Sequence, residues 1–256
     1  MKQDPQFSSK IFEWRPNIKI IVMSLLLFPL LIVLGFWQLE RAEEKREILK
    51  EFNLNQQLPP ATFEDLMMER NHQYRSIWLT GKLDGERRAF LDNRVKYGKP
   101  GYEVFEAMTV SEFHSKGKQQ LVLVNRGWVP ASLDRRILPS IDSIKGDLQL
   151  RGTLYRNLQG GYRLDDGISK IKEWPSRVGW ISTDRVEELF GDEFYAYQLR
   201  LDRDSPGALD TGWVTVAVQP EKHTGYAVQW FVMAIVLLIM TLVANSNIGS
   251  WNKSKG

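Results

Sequence analysis

Three imidazoles, His72, His114 and His223, are the side chains of this sequence best suited to bind a metal or to carry a proton near neutral pH. His72 stands in Glu-Arg-Asn-His-Gln and His114 in Glu-Phe-His-Ser-Lys-Gly. Neither has metal-ligand spacing, and both are expected as solvated loop residues. His223 differs in its surroundings. It opens His-Thr-Gly-Tyr-Ala-Val-Gln-Trp-Phe, residues 223–231, which continues into an uncharged apolar run ending at Ala244. Tyr226 and Trp230 are four apart and share a helix face, with Gln229 flanking it.

Two chemistries fit that arrangement. One is an interfacial aromatic belt with an uninvolved histidine. The other is a haem site with His223 as ligand to the iron: haem needs an apolar slot for its macrocycle, an imidazole for its iron, and polar or basic groups for its propionates. Trp37 and Gln38 would supply a matching wall at the end of a second apolar run, with Arg41 one turn beyond. Both readings put His223 at a membrane surface, so the apolar runs have to span.

Residues 226–244 carry no charge, and residues 20–39 carry none either. About 20 apolar residues at 1.5 Å rise cross a hydrocarbon core. Pro29 is tolerated in such a helix where neighbours satisfy the freed carbonyl. Trp14 and Trp37 bracket the first run and Trp230 and Trp251 the second, as interfacial anchors do. The exit of the first run, residues 35–41 (Gly-Phe-Trp-Gln-Leu-Glu-Arg), offers no small-x-small cleavage site, so this helix is expected to stay as an anchor. Acidic residues interrupt the stretch before it, unlike a mitochondrial presequence.

The organisation that follows is a tail (1–17), a first transmembrane helix (18–39), a β-rich domain with an N-terminal helical stalk (40–222), a second transmembrane helix (223–245) and a second tail (246–256). The net charge is +3; the first tail together with Lys19 carries +2 and the second tail +2, which leaves −1 for the middle domain. A near-neutral domain without a basic stripe argues against nucleic acid as a partner. Positive tails inside and the long domain outside are the expected topology, with membrane lipids around the helices. The chain has no cysteine, which excludes disulfide scaffolds, thiolate zinc sites, thiol redox motifs and covalent haem attachment.

Within the domain, residues 40–52 read as a charged helix with opposite charges three apart (Arg41/Glu44, Glu43/Arg46, Glu47/Lys50), ended by Pro59-Pro60. Strand patterns follow at 74–83, 88–93, 102–110, 121–129, 148–155, 177–182, 194–201 and 213–218. Asp84-Gly85 reads as a hairpin turn between the first two. Residues 183–190 read as a short helix started by Thr183 or Asp184 and stopped at Gly191. In 121–129, alternation puts Val122, Val124, Arg126 and Trp128 on one face and Asn125 on the other. Arg126 beside Trp128 either closes a salt bridge or clamps a partner or propionate. The expected fold is a mostly antiparallel, barrel-like β domain with short helices. No nucleophile elbow, Walker loop, His-Glu-x-x-His or dinucleotide fingerprint occurs, so the protein is expected not to be an enzyme. Asp202-Arg-Asp-Ser-Pro-Gly lacks the further oxygen ligands of a calcium loop and reads as a turn.

Residues 34–45 (Leu-Gly-Phe-Trp-Gln-Leu-Glu-Arg-Ala-Glu-Glu-Lys), 124–130 (Val-Asn-Arg-Gly-Trp-Val-Pro) and 223–234 (His-Thr-Gly-Tyr-Ala-Val-Gln-Trp-Phe-Val-Met-Ala) resemble, in order and placement, the three signature stretches of the surfeit locus protein 1 family. The match is weakest over 159–174. The resemblance implies a bacterial cytochrome c oxidase assembly factor of the inner (plasma) membrane, with its main domain in the periplasm. Its implied partners are oxidase subunit I and haem A synthase. Family members assist maturation of the haem-copper subunit, and bacterial ones have been proposed to bind haem A through the histidine matching His223. A membrane-anchored chaperone that docks on oxidase subunits without haem is the alternative.

Overall fold

The computed structural model describes residues 13–115, 118–156, 171 and 173–247. Trp251, most of both tails and nearly all of 159–174 lie outside them. The chain divides into two units, Met1–Leu49 with Val216–Gly256, and Lys50–Thr215.

Helix α1 runs unbroken over Ile18–Gln57, and helix α4, the last in the chain, over Pro220–Ala244. Each contains a window apolar enough to cross a membrane, with mean hydropathy 2.7 and 2.5, and most of its apolar side chains are uncovered. Such a surface is compatible with a lipid surrounding. The expected stalk is a continuation of the same helix, five residues longer than its charge pattern suggested. Arg41–Glu44 (2.5 Å) and Arg46–Glu43 (2.9 Å) are the opposite-charge pairs read from the sequence.

Within the first unit, α1 and α4 pack antiparallel along a seam of small residues. Ser24, Gly35 and Ala42 are buried on one helix, Ala227 and Ala234 on the other. Small side chains let two membrane helices approach closely. A Cβ on Gly35 would stand 2.5 Å from the Phe231 ring, so a larger residue there must displace that ring. Ser24 Oγ and Thr241 Oγ1, 2.6 Å apart, join the helices lower down. Beyond them Asn245 O accepts from Arg15 N at 2.7 Å, and Asn247 N donates to Glu13 O at 3.1 Å, which fastens the helix ends.

The second unit is a mixed six-stranded sheet with two short helices, α2 (Phe63–Met67) and α3 (Thr183–Phe190). Its strands are β1 (Ser76–Lys96), β2 (Lys99–Ser115), β3 (Lys118–Pro130), β4 (Leu148–Tyr155), β5 (Ser176–Val178) and β6 (Gln198–Leu201), in the order β2-β3-β6-β4-β1-β5, with β2 also paired to β1. The expectation of a mostly antiparallel sheet is modified because β5 lies parallel to β1 and β6 parallel to β3. Both strands arrive after long connections, which permit parallel pairing where a hairpin does not.

Several local readings change as well. Asp84-Gly85 is no hairpin turn: the two strands read on either side of it are one strand, β1, with an irregularity between Leu83 and Arg88. The hairpin lies one bend later, at Tyr97-Gly98, where both residues have positive φ as a two-residue type I′ turn requires. The strand read at 213–218 does not form, and those at 177–182 and 194–201 shorten to β5 and β6. Phe194 keeps only an isolated bridge to Leu121, and Val214 and Val218 stay exposed. The stretch 202–207 is a turn, and α3 is capped by Ser182, one residue before the expected start, and ended by Gly191 in the left-handed region.

Two apolar layers flank the sheet. Ile77, Leu79, Val122, Val124, Leu150, Leu154, Leu199 and Leu201 fill one. The other packs Ala89, Leu91, Phe105 and Leu123 against Val186, Leu189 and Phe190 of α3. Leu123 and Val124 thus point to opposite layers, as alternation in β3 demands.

Candidate functional site

His223 lies in the first turn of α4, where Pro220 occupies the start and Thr224 Oγ1 donates back to Pro220 O at 3.1 Å. Proline suits this place because its missing N–H has no partner in a first turn. The imidazole faces α1, and its Nδ1 is 2.8 Å from Gln38 Oε1. An amide oxygen only accepts, so Nδ1 carries the proton and donates. The Nε2 lone pair is then left free, and no hydrogen bond reaches it among the described residues. An imidazole held at one nitrogen by an oxygen acceptor, with the other nitrogen bare, is how protein histidines bind metals. About two turns further along α1, Arg46 Nη2 donates to Thr224 Oγ1 at 3.0 Å, so the helices are tied beyond the His223–Gln38 bond as well.

The other residues expected at this site distribute differently. Trp37 and Tyr226 are 50% and 49% exposed and face away from the seam, and Gln229 is exposed as well. Trp230 is half-buried beside Phe231, whose ring meets Phe36 edge-on at 5.4 Å. Arg41 is engaged with Glu44 on its own helix. Of the residues read from the sequence around His223, Gln38 is the one hydrogen-bonded to it. Among the described residues no group of three or more His, Asp or Glu side chains is placed to hold a bare metal ion.

Arg126 and Trp128 belong to the sheet unit. The alternation expected in β3 breaks at Gly127, whose φ of 121° makes a bulge: Val104 pairs with Gly127 and Phe105 with Asn125, so Arg126 is the extra residue. Arg126 is 2% exposed. Its Nη1 donates to Glu106 Oε2 at 2.8 Å and its Nε to Gly207 O at 2.8 Å. Glu106, with no exposure at all, also accepts from Arg88 Nε at 3.4 Å and from Gly85 N at 2.6 Å. Arg88 in turn donates to Ile141 O and Ser143 Oγ, each at 2.5 Å. The guanidinium of Arg126 is thereby spent on holding the β1 irregularity and two loops to the sheet. Trp128 is buried too, with Nε1 donating to Arg94 O at 2.8 Å and its ring against Tyr97.

The remaining histidines also depart from expectation. His114 lies in β2, paired with Gln119, and not in a loop. His72 is half-buried. Its Nε2 donates to the carbonyls of Leu66 (2.8 Å) and Glu69 (3.1 Å), which end α2, while Nδ1 is hydrogen-bonded to the Tyr195 hydroxyl. Burial, and then the neighbouring Tyr197 and Glu69, push the Tyr195 phenol well above its usual range, so it serves as the donor. Sequence reasoning missed Glu106, although an acid flanked by Phe105, Ala107 and Met108 in β2 was a signal, since an acid at a core position requires a cation.

The SURF1 family model matches residues 25–235. A SURF1-like protein of Rickettsia felis is 23% identical over 239 residues, covering 90% of this chain and 99% of its own length. A SURF1-like protein of Caenorhabditis elegans is 21% identical over 255 residues, 91% of this chain and 75% of that protein. One of Rickettsia bellii is 27% identical over 113 residues, or 43% of this chain and 44% of that protein. The match takes in the whole sheet unit, Gln38 and His223, and the chain belongs to the SURF1 family, known in general as cytochrome oxidase assembly factors.

Proposed function

We propose that the protein assists haem A insertion into, or maturation of, subunit I of a haem-copper cytochrome c oxidase, and that His223 holds the iron of the passing haem. The observation that carries this reading is the His223–Gln38 bond, which fixes the imidazole and leaves Nε2 free. Trp230 lies on the same stretch of α4, and His223 would hold the iron of a bound haem through Nε2. The protein performs no bond chemistry of its own in this account. Its place is a bacterial inner membrane, with both tails cytoplasmic and the sheet unit periplasmic, beside subunit I and haem A synthase; the positive tails support this orientation. We read the sheet unit as barrel-like, because β1 pairs with β2 and β4, β2 with β3, β3 with β6, and β6 with β4.

A second reading, docking on oxidase subunits without haem, is favoured by the outward faces of Trp37 and Tyr226, which offer aromatic surface on the helix exteriors. Purification from cells able to make haem A separates the two. The haem reading predicts a Soret band and extractable haem A in near-stoichiometric amount; protein that copurifies with subunit I and carries no haem supports docking instead.

A further inference from the structure

One guanidinium of the sheet unit has no counter-charge. Arg200 lies in β6, paired with Thr153 of β4 and Asn125 of β3, and alternation turns its side chain away from the core that Leu199 and Leu201 fill. Its guanidinium carbon is 3.4 Å from the centre of the Tyr155 ring and 5.2 Å from that of Trp213. Trp213 is itself fixed, its Nε1 donating to Leu201 O at 2.9 Å. Against these rings Arg200 Nε is wholly buried and carries no hydrogen bond, while the side chain as a whole is only half-buried. The two terminal nitrogens are therefore the part of Arg200 that reaches the surface.

The neighbouring charges are spent on one another. Arg94 Nε pairs with Glu103 Oε1 at 3.4 Å, and Arg151 Nε with Asp202 Oδ2 at 3.0 Å. Glu103 is the acid that bears most on Arg200, yet its other oxygen accepts from Asn125 Nδ2 at 2.7 Å. No carboxylate forms an ion pair with Arg200 among the described residues, and the neutral Tyr155 phenol is the polar partner left to it. Burial accordingly holds the guanidinium below its usual range. A cation withdrawn from water without a counter-ion is unfavourable, and a carboxylate arriving from outside removes that penalty. With a ring against its face, the guanidinium offers its N–H edge, a fork that matches the two oxygens of a planar carboxylate. Val214, next in the chain to Trp213, is 69% exposed and gives the site an apolar rim.

We propose that Arg200 anchors a single carboxylate carried by a partner polypeptide, an acidic side chain whose apolar stem lies along Trp213 and Val214. One free guanidinium balances one negative charge, whereas a phosphate group brings nearly two, and Arg94 and Arg151 are already engaged. This site is independent of haem binding at His223, and its failure leaves that reading untouched.

The test uses the full chain in a maltoside detergent, labelled with 5-fluorotryptophan, the Trp213 resonance being assigned with Trp213→Phe. Nα-acetyl-glutamate amide should shift that resonance saturably, and its uncharged isostere Nα-acetyl-glutamine amide should not. Arg200→Met should abolish the shift and keep the parent's melting temperature, because it strands no carboxylate. Arg200→Lys, which retains the charge without the planar fork, should bind about tenfold more weakly, the scale of one charge-assisted hydrogen bond. No saturable shift in the parent, an undiminished one in Arg200→Met, or parental affinity in Arg200→Lys overturns the proposal. A stronger response to inorganic phosphate makes this a phosphate site, and an equal response to acetate makes it a site for free small acids; either contradicts the assignment.

Discussion

Glu106 in the sheet unit and His223 in the helical unit each centre a polar cluster, but they are satisfied to different degrees. Both oxygens of Glu106 are taken, by Arg126, Arg88 and a backbone amide, and the two arginines hold four further loop acceptors. His223 has one ring nitrogen fixed by Gln38 and the other unengaged. A buried network with every group paired is a structural device, because removing one member strands charges in a medium that cannot solvate them. A side chain that is oriented and left with a spare lone pair is ready for something that comes and goes.

The largest effect should come from breaking the saturated cluster. Glu106→Ala leaves two buried guanidinium groups without their carboxylate and should cost about 3–5 kcal/mol, a drop in melting temperature on the order of 10 °C. Thermal unfolding of the purified chain measures this; a change within a degree would mean that the network contributes nothing to stability.

Gln38→Leu touches the other cluster from its supporting side. The imidazole loses the acceptor that sets its tautomer and orientation, so haem affinity should fall by about 10–100-fold while the melting temperature stays close to that of the parent. Titration with haem distinguishes this from a bond that serves packing alone, which would lower the melting temperature and spare the affinity.

His72 sharpens the contrast, since it is an imidazole with both nitrogens spent. His72→Ala should destabilise the sheet unit by about 1–2 kcal/mol and leave haem binding unchanged. Chemical denaturation gives the first quantity, and a normal haem titration the second. Loss of haem binding in this folded variant would move the site into the sheet.

The smallest effect concerns a partly buried pair at the edge of the sheet unit. Lys96 Nζ donates to Asp210 Oδ1 at 2.5 Å and holds that carboxyl below its ordinary value of 3.8. The depressed value means that the pair's stabilisation is present above the unfolded carboxylate range and is lost as pH falls through the folded value. Asp210→Asn should therefore melt slightly below the parent at neutral pH, with the gap closing below about pH 3.8. A gap that persists in acid would assign the effect to the backbone turn at Asp210 instead.

How far the sequence carried these distinctions follows from the range of the forces involved. The two long apolar helices, α3 and the run of long strands were legible because hydropathy, capping and period-two patterns are local. The His223–Gln38 pairing was partly legible, since both residues lie at the ends of apolar runs facing the same boundary. The partner of Arg126 was not, because it sits 20 residues away across a bulge that no pattern in 121–129 announces. His72 misled for the same reason: its polar neighbours in sequence say nothing of Tyr195, a contact supplied by tertiary packing. Trp37 and Arg41 show the limit in the other direction. Adjacency to Gln38 along a helix puts Trp37 about 100° around the axis, which turns it away from the seam that Gln38 faces.

The central claim is that His223 Nε2 is a ligand in waiting. It is tested most directly by absorbance spectra of haem-loaded parent and His223→Ala, the latter with and without added imidazole. The account predicts that the variant loses or shifts its Soret band at unchanged membrane level and melting temperature, and that free imidazole, entering the space left by the side chain, restores the parental band. A variant whose haem spectrum matches the parent's without imidazole contradicts it.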